Sequence, residues 1–380
     1  MKILNVVNIY FTVPYFLGDQ ISHFVEKGHE EFIICSPAYQ LAEFAKQQQC
    51  QYYEVPISRN FTVLEDLKAV AKITKFIRKN KLDIVCGHTP KAGLLAMIAA
   101  KLGGVKKRIF FRHGLVYETA SGIKRKILIL SERIASFLAT DVVCVSPYLK
   151  DKSIEDKLTR KDKLIVLNHG SSTGIDSEEI FNPALIDRDK KTKLRQQLGL
   201  KEDDFVAGYV GRMVKDKGIV ELVTAYRNLK EKEPNIHLLL VGPLEERDAV
   251  PQEIIDYIQR DPQIHHVGLI EKDLEYYYSC MDVLVLPTHR EGLGMALLEA
   301  QSMEKPVMAP SHTGSKDAFV ANRTGLYIDL NPLSIENGLE LYMKFPSVKK
   351  EHGKEGREFV TKNFNRKLIW DEIEKLYFKQ

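Results

Sequence analysis

The chain lacks the features that mark several protein classes. Its 380 residues include five cysteines, Cys35, Cys50, Cys86, Cys144 and Cys280, an odd number with no C-x-x-C spacing. That pattern argues against a disulfide framework or a zinc site and predicts buried thiols in a reducing cytosol. No run of about 18 apolar residues occurs, so no membrane-spanning helix is expected. The opening M-K-I-L-N-V-V is too short and strand-like for a secretory signal. Both G-x-x-x-x-G-K-[ST] and G-x-G-x-x-G are missing, which disfavours a Walker loop and a nicotinamide-dinucleotide fingerprint. There is one tryptophan, and no internal repeat or low-complexity segment.

What is present is ordinary globular composition, 44% apolar and 28% charged, in a chain long enough for two domains. The net charge of +4 is unevenly spread. Residues 1–170 carry 26 Lys and Arg against 16 Asp and Glu, and residues 171–380 carry 29 against 35. A basic amino-terminal half suits an anionic partner such as a membrane surface or a phosphorylated acceptor. Nucleic acid is not expected, because no nucleic-acid-reading motif accompanies the charge.

Short apolar strands alternate with helical patterns, which predicts α/β layers around parallel sheets. Strands are expected near residues 2–8, 31–35, 51–55, 83–86, 107–112, 141–145 and 163–167. A second series is expected near 205–210, 237–241, 264–267, 282–286, 306–308 and 325–328. The longest helices of the first half are expected over 63–80 and 124–138. The polar, glycine-rich stretch from Asn168 to Pro183 reads as a linker. Residues 366–379, with Trp370, Leu368, Ile369, Ile373 and Leu376, read as a packed amphipathic helix. Two doubly wound domains bind ligands at the carboxyl ends of their strands, in a cleft between the domains.

The most informative segment is H-R-E-G-L-G-M-A-L-L-E-A, His289 to Ala300. It follows an apolar strand and reads as a turn, then a helix from about Leu293 to Met303. Glu291 would lie in the turn and Glu299 about two turns inside the helix. Eight residues at helical rise span ~12 Å, about the distance from a donor sugar to its ribose. Gly292 and Gly294 allow close approach to the backbone, and N–H groups from Gly292 to Met295 can meet hydroxyls or phosphate. The plainer alternative is a charge at a helix start and a solvated helix residue.

A second segment, V-A-G-Y-V-G-R-M-V-K-D-K-G, reads as strand, turn and helix. It places Arg212 and Lys217 beside helix N–H groups, which makes a diphosphate site or, more plainly, a salt-bridged surface turn. His113 follows the strand R-I-F-F-R and can donate to a sugar hydroxyl or orient substrate, the plainer alternative being a satisfied loop histidine. In H-T-P-K-A-G, Thr89 reads as a cap, Pro90 as the first helical residue and Lys91 as an acceptor-phosphate contact. Thr313-Gly314-Ser315 reads as a further turn whose N–H groups join the site, or as simple capping. Lys124-Arg125-Lys126 precedes an amphipathic run to Leu138 that touches a membrane or is a solvated helix start.

Together these segments resemble glycosyltransferase family 4, the retaining, nucleotide-sugar-dependent enzymes of the GT-B fold. The likeness covers nearly the whole chain and is stronger from about Gly170. V-G-R-M-V-K-D-K-G looks like the family's G-R-x(4)-K-G turn, and R-E-G-L-G-M-A-L-L-E-A like its E-x7-E segment. G-I-D-S-E-E-I-F-N-P looks like the family's interdomain G-V-D-x-x-x-F-x-P. H-T-P-K-A-G and R-H-G are like those of bacterial capsule and lipid-linked oligosaccharide transferases. The resemblance implies two Rossmann-like doubly wound domains facing across a cleft. These would be an acceptor-side domain over 1–183, a nucleotide-sugar domain over 184–362, and a terminal helix over 363–380 packing back on the first.

It also implies catalytic roles for Arg212, Lys217, Glu291 and His113, the last as a sugar contact from the first domain. Gly211, Gly292, Leu293, Gly294, Glu299 and Ile270 would bind the donor, and His88, Lys91 and Tyr15 the acceptor. The sequence departs from the family at Tyr10 to Gly18, where many relatives have a Gly-Gly loop. Those aromatics suit an acceptor site. Glu304-Lys305 replaces a glycine usual before P-V.

The implied reaction transfers a sugar from a nucleotide diphosphate, a UDP-sugar, to a hydroxyl of a glycan, polyprenyl-diphosphate-linked, in capsular or surface polysaccharide synthesis. The anomeric configuration is retained. No cofactor or metal is expected, since two cations serve the diphosphate. The place of action would be the cytoplasm, peripheral to the inner face of the membrane. Two alternatives stay open: a sugar-nucleotide epimerase of the same fold, and a non-catalytic nucleotide-sugar-binding subunit.

Overall fold

The computed structural model describes residues 1–58, 62–246 and 248–378. The chain forms two compact units, one of Met1–Gly174 plus the segment from Lys367, the other of Ile175–Arg366. The chain passes from one to the other inside the polar stretch 168–183.

The first unit is built on β1 (Lys2–Val6), β2 (Glu30–Cys35), β3 (Gln51–Glu54), β4 (Ile84–His88), β5 (Lys107–Arg112), β6 (Asp141–Cys144) and β7 (Leu164–Ile165). All pair in parallel, in the order β3-β2-β1-β4-β5-β6-β7. The central strands are apolar runs because helices cover both faces of a parallel sheet. β3 lies at the edge, and its Q-Y-Y-E is exposed throughout. The strand order reverses between β1 and β4, and the carboxyl ends at such a reversal form a crevice.

The second unit repeats the plan with β8 (Phe205–Val210), β9 (Ile236–Val241), β10 (Ile264–Gly268), β11 (Val283–Val285), β12 (Val307–Ala309) and β13 (Gly325–Tyr327). They are again parallel, in the order β10-β9-β8-β11-β12-β13. Here the reversal falls between β8 and β11.

The last helix, Arg366–Phe378, returns to the first unit. Ile369, Trp370, Ile373, Leu376 and Tyr377 are buried against Ile3, Phe24, Ile84, Cys86, Ile109 and Phe111. Leu368, expected in that face, is 41% exposed. It lies one residue, about 100°, off the buried stripe. Lys379, the expected end of this helix, lies outside the described residues.

Helix Gly122–Leu138 is inside-out. Its buried face holds Ser131, Glu132, Ala135 and Ser136. Its exposed residues include Ile123, Ile127, Leu130, Ile134 and Phe137. The cause is Arg112, a fully buried cation at the end of β5. Its guanidinium donates to Glu132 at 2.9 Å, Ser136 at 2.7 Å and Ser153 at 2.7 Å. A buried charge needs such partners, so the helix turns its polar side inward.

The terminal helix is thus part of the first unit's core. Ile373→Ala is expected to destabilise that unit by about 2–5 kcal/mol. The measurement is urea unfolding followed by the fluorescence of Trp370, the sole tryptophan, which sits in this helix.

Candidate active site

Of the residues expected to form the second unit's site, Gly211, Arg212, Lys217, Glu291, Gly292, Leu293 and Gly294 sit on the loops after β8 and β11, where the strand order reverses. After β8 the chain runs through Gly211 and Arg212 into a 3-10 turn, Lys215–Lys217. Gly218 ends the turn at φ +71°, and a Cβ there would lie 1.9 Å from the Pro287 carbonyl oxygen. Only glycine combines that backbone conformation with that approach. The turn therefore lies directly on the loop leaving β11. The Asp216 carbonyl accepts the His289 N–H at 2.9 Å, and Arg290 pairs with the Asp216 carboxylate at 3.0 Å.

This contact brings Lys217 and Glu291 together at 2.8 Å. Lys217 Nζ also donates to Thr288 Oγ1 at 3.3 Å and the Arg290 carbonyl at 3.0 Å. Its three donors thus have three acceptors. The other Glu291 oxygen accepts the Gly292 N–H at 3.1 Å. Arg212 is nearer solvent, with its side chain 37% exposed, and pairs with Glu245 at 3.0 Å. Both expected cations therefore already hold a carboxylate. The pair at Arg212 is exposed enough to be exchanged for another anion at little cost.

The helix after Glu291 is shorter than expected. It spans Met295–Ser302, with Gly294 as its N-cap at φ +87°. A Cβ on Gly294 would meet Leu297 at 2.9 Å and Glu291 Cγ at 3.5 Å. Glu299 is therefore one turn into the helix, not two. The rise from Met295 is ~6 Å, so the ~12 Å of continuous helix does not apply.

Glu299 is buried, not a solvated helix residue, and accepts the Tyr278 hydroxyl at 2.6 Å. Burial pushes its carboxyl up to about 7, against the opposing pull of the Tyr278 hydrogen bond. Of the loop N–H groups, that of Gly292 is taken by Glu291. Those of Leu293 and Gly294 make no hydrogen bond among the described residues. Ile270 is partly buried two residues beyond β10, with β9 between β10 and β8.

The turn at Thr313 supports the alternative of simple capping. Gly314 N–H donates to the Glu291 carbonyl at 3.0 Å, Ser315 N–H to Thr313 Oγ1 at 3.3 Å, and Lys316 N–H to the Thr313 carbonyl at 3.2 Å. The Gly314 N–H ties this turn to the Glu291 loop, and the other two close the turn itself.

In the first unit, His88 ends β4 and His113 follows β5. Their Nδ1 and Nε2 atoms lie 3.1 Å apart. His88 is buried and its Nε2 lies 3.1 Å from Asn5 Oδ1, so it has no atom left for an acceptor. His113 is partly exposed, with the Phe16 ring stacked on it at 3.7 Å. Tyr15, beside Phe16, is 47% exposed.

Lys91 does not stand open at a helix start. It is buried and paired with Asp66 at 2.7 Å. Pro90 does open the helix, but Thr89, at φ +65°, makes no side-chain cap and its hydroxyl is buried without a partner. Sequence reading passed over Thr288, Arg290, Asn5 and Glu31. Arg290 lies inside the segment His289 to Ala300 and Thr288 immediately before it; nothing in the local pattern marks the others. Among the described residues no group of three His, Cys, Asp or Glu is placed to hold a metal ion.

Two parallel sheets, each with an order reversal, define a doubly wound α/β fold in two units, and comparison with known proteins agrees. Residues 15–173 match the model described as Glycosyltransferase Family 4, and residues 190–359 the model described as Glycosyl transferases group 1. The capsular polysaccharide biosynthesis glycosyltransferase CapM of Staphylococcus aureus is 33% identical over 99% of this chain and 96% of its own. The UDP-Gal:alpha-D-GlcNAc-diphosphoundecaprenol alpha-1,3-galactosyltransferase of Escherichia coli is 26% identical over 91% and 88%. The Anabaena protein HepE, solved with UDP and glucose, matches with a TM-score of 0.82 at 19% identity, over 99% of this chain and 98% of its own. The chain belongs to glycosyltransferase family 4 and has the GT-B type of fold.

The raised Glu299 carboxyl has a measurable consequence. The native state holds a proton that the unfolded chain, with an ordinary carboxyl near 4.5, has released. Stability is then fully present below pH 4.5 and falls as the pH rises through about 7. Glu299→Gln is expected to flatten that fall, so the variant gains on the wild type between pH 5 and 8 in thermal unfolding.

Proposed function

We propose that this glycosyltransferase moves a sugar from a UDP-sugar to a hydroxyl of a polyprenyl-diphosphate-linked glycan, with retention and without a metal, in capsular or surface polysaccharide synthesis. The observation that carries the reading is the Lys217–Glu291 contact at the order reversal of the second sheet, beside the open N–H groups of Leu293 and Gly294. The diphosphate leaves as an anion. Lys217, Arg212 and the loop N–H groups stabilise the charge that grows on it, and this accounts for most of the rate. Arg212 exchanges Glu245 for phosphate oxygen. Glu291 holds sugar hydroxyls while fixing the ammonium of Lys217, and Glu299 accepts from the ribose. The leaving phosphate helps to remove the acceptor's proton. The UDP named in the HepE complex and the UDP-Gal of the Escherichia coli relative support the choice of nucleotide.

The inside-out helix supports a lipid-linked acceptor. Ile123, Ile127, Leu130, Ile134 and Phe137 recur at three- and four-residue spacing and form one exposed apolar stripe. Exposed Lys124, Arg125, Lys126 and Arg133 accompany them, and the helix's one acid, Glu132, is buried on Arg112. Apolar area beside cationic side chains suits the cytoplasmic face of an anionic bilayer. No helix among the described residues is long and apolar enough to cross it.

Lys217→Ala is expected to cut UDP release with a lipid-diphosphate sugar acceptor by at least about a hundredfold, while the variant still folds. Wild-type turnover would refute the phosphate role. Glu299→Ala is expected chiefly to raise the donor KM. Isomerised sugar formed from donor alone would indicate an epimerase, and binding without turnover over an acceptor panel a non-catalytic subunit. The wild type should co-sediment with vesicles containing phosphatidylglycerol. Ile127→Ser with Phe137→Ser should abolish that without loss of turnover on a water-soluble acceptor. Equal binding to neutral vesicles would remove the electrostatic part.

A further inference from the structure

Beneath His113 lies a row of polar side chains that the transferase reading does not use. Glu31 on β2, Asn5 on β1 and His88 on β4 are all buried. These strands are neighbours, followed by β5, which delivers His113. The links run across the sheet without a gap. Asn5 Nδ2 donates to Glu31 Oε2 at 3.0 Å. His88 Nε2 lies 3.1 Å from Asn5 Oδ1, and His88 Nδ1 lies 3.1 Å from His113 Nε2. Three buried polar side chains within the sheet, Glu31, Asn5 and His88, are costly unless each is matched to a neighbour.

The matching has a direction. An amide has a donor end and an acceptor end. With Nδ2 on Glu31, Asn5 offers only oxygen to His88, so His88 Nε2 carries hydrogen. Burial takes the His88 ring down to about 3, so it is neutral and its Nδ1 is an acceptor. His113 Nε2 must then carry hydrogen. Burial and the His88 ring also hold His113 well below its usual range, so its second nitrogen, Nδ1, keeps a lone pair. That atom makes no hydrogen bond among the described residues. The Phe16 ring, stacked within 12° of parallel, stops the imidazole turning.

We infer that Glu31, Asn5 and His88 are positioning residues that hold His113 as a single tautomer, so that Nδ1 receives a hydrogen bond from a sugar hydroxyl. This rests on the transferase reading for the identity of the ligand, and of the roles expected of His113 it replaces donation to a hydroxyl by acceptance from one. An acceptor selects a hydroxyl that itself donates, and rejects a methoxy or deoxy position there.

The test is nitrogen NMR of the full-length protein with 15N-labelled histidine, His113 being assigned through His113→Gln. In the wild type, Nε2 is expected to be of the protonated type and Nδ1 of the unprotonated type. Asn5→Leu removes both ends of the amide. It should yield a mixture of His113 tautomers and lower kcat/KM by about tenfold, the worth of one ordinary hydrogen bond. Asn5→Asp keeps an acceptor toward His88 and should retain the wild-type tautomer, which serves if the leucine variant does not fold.

The opposite wild-type pattern, hydrogen on Nδ1, would mean that Glu31 donates through Oε2 and would overturn the inference. So would an unchanged His113 spectrum in Asn5→Leu. Neither spectrum depends on turnover, so failure of the transferase reading would show separately, as no product with any acceptor.

Discussion

The second unit's site depends on how closely the Lys217 turn lies on the loop after β11. A Cβ at Gly218 would sit 1.9 Å from the Pro287 oxygen, so the two loops touch through backbone alone. With them in contact, Lys217 reaches Glu291, Thr288 and the Arg290 carbonyl. A lysine held by three acceptors loses most of its rotamer freedom before any ligand arrives, which is the preorganisation that a developing phosphate charge rewards. The carboxylate does not cancel this. It fixes where the cation stands, and because Thr288, the Arg290 carbonyl and Glu291 use all three of its donors, an incoming anion must replace one of them to bond with Lys217.

The two sheets share a strand plan yet use their order reversals differently. At β8 and β11 the reversal carries charges, glycine and open N–H groups, a set suited to phosphate and hydroxyls. At β1 and β4 it carries neutral, buried hydrogen-bonding groups ending in one partly exposed imidazole. Desolvation explains the contrast. Lys217 is partly exposed and paired with Glu291, whereas His88, sealed beneath the strand ends, is held neutral by burial. A neutral imidazole offers a donor on one nitrogen and an acceptor on the other, so its tautomer decides which kind of hydroxyl contact it can make.

Much of this was legible from periodicity. Among the described residues all thirteen strands fall near their expected positions, most of them because a buried parallel strand is an apolar run between turns, although β3 at the edge is exposed, and the helix over residues 63–80 falls where its spacing placed it. The loops were less legible. Gly294 as N-cap shortens the helix by two residues, since a left-handed backbone at 294 cannot be read from Gly-Leu-Gly alone. Lys91 was read as open because it follows a proline at a helix start. Its partner, Asp66, comes from a helix 25 residues away in sequence. Thr288, Asn5 and Glu31 carry their meaning only through contacts across strands, which no local pattern announces.

Helix Gly122–Leu138 shows how one buried charge redirects a whole surface. Arg112 sits immediately before His113 at the end of β5, where its side chain is sealed from water. It needs Glu132 and the two serine hydroxyls, and those of the helix, Glu132 and Ser136, occupy the side that an amphipathic helix would otherwise fill with isoleucine and leucine. The apolar residues then have nowhere to go but outward. Replacing Arg112 and Glu132 by apolar groups would satisfy the core equally well. What would be lost is the orientation of the helix, and with it the apolar and cationic surface on the same unit as the histidine site. The buried pair is therefore better understood as the element that chooses which side of the helix faces solvent than as a source of stability.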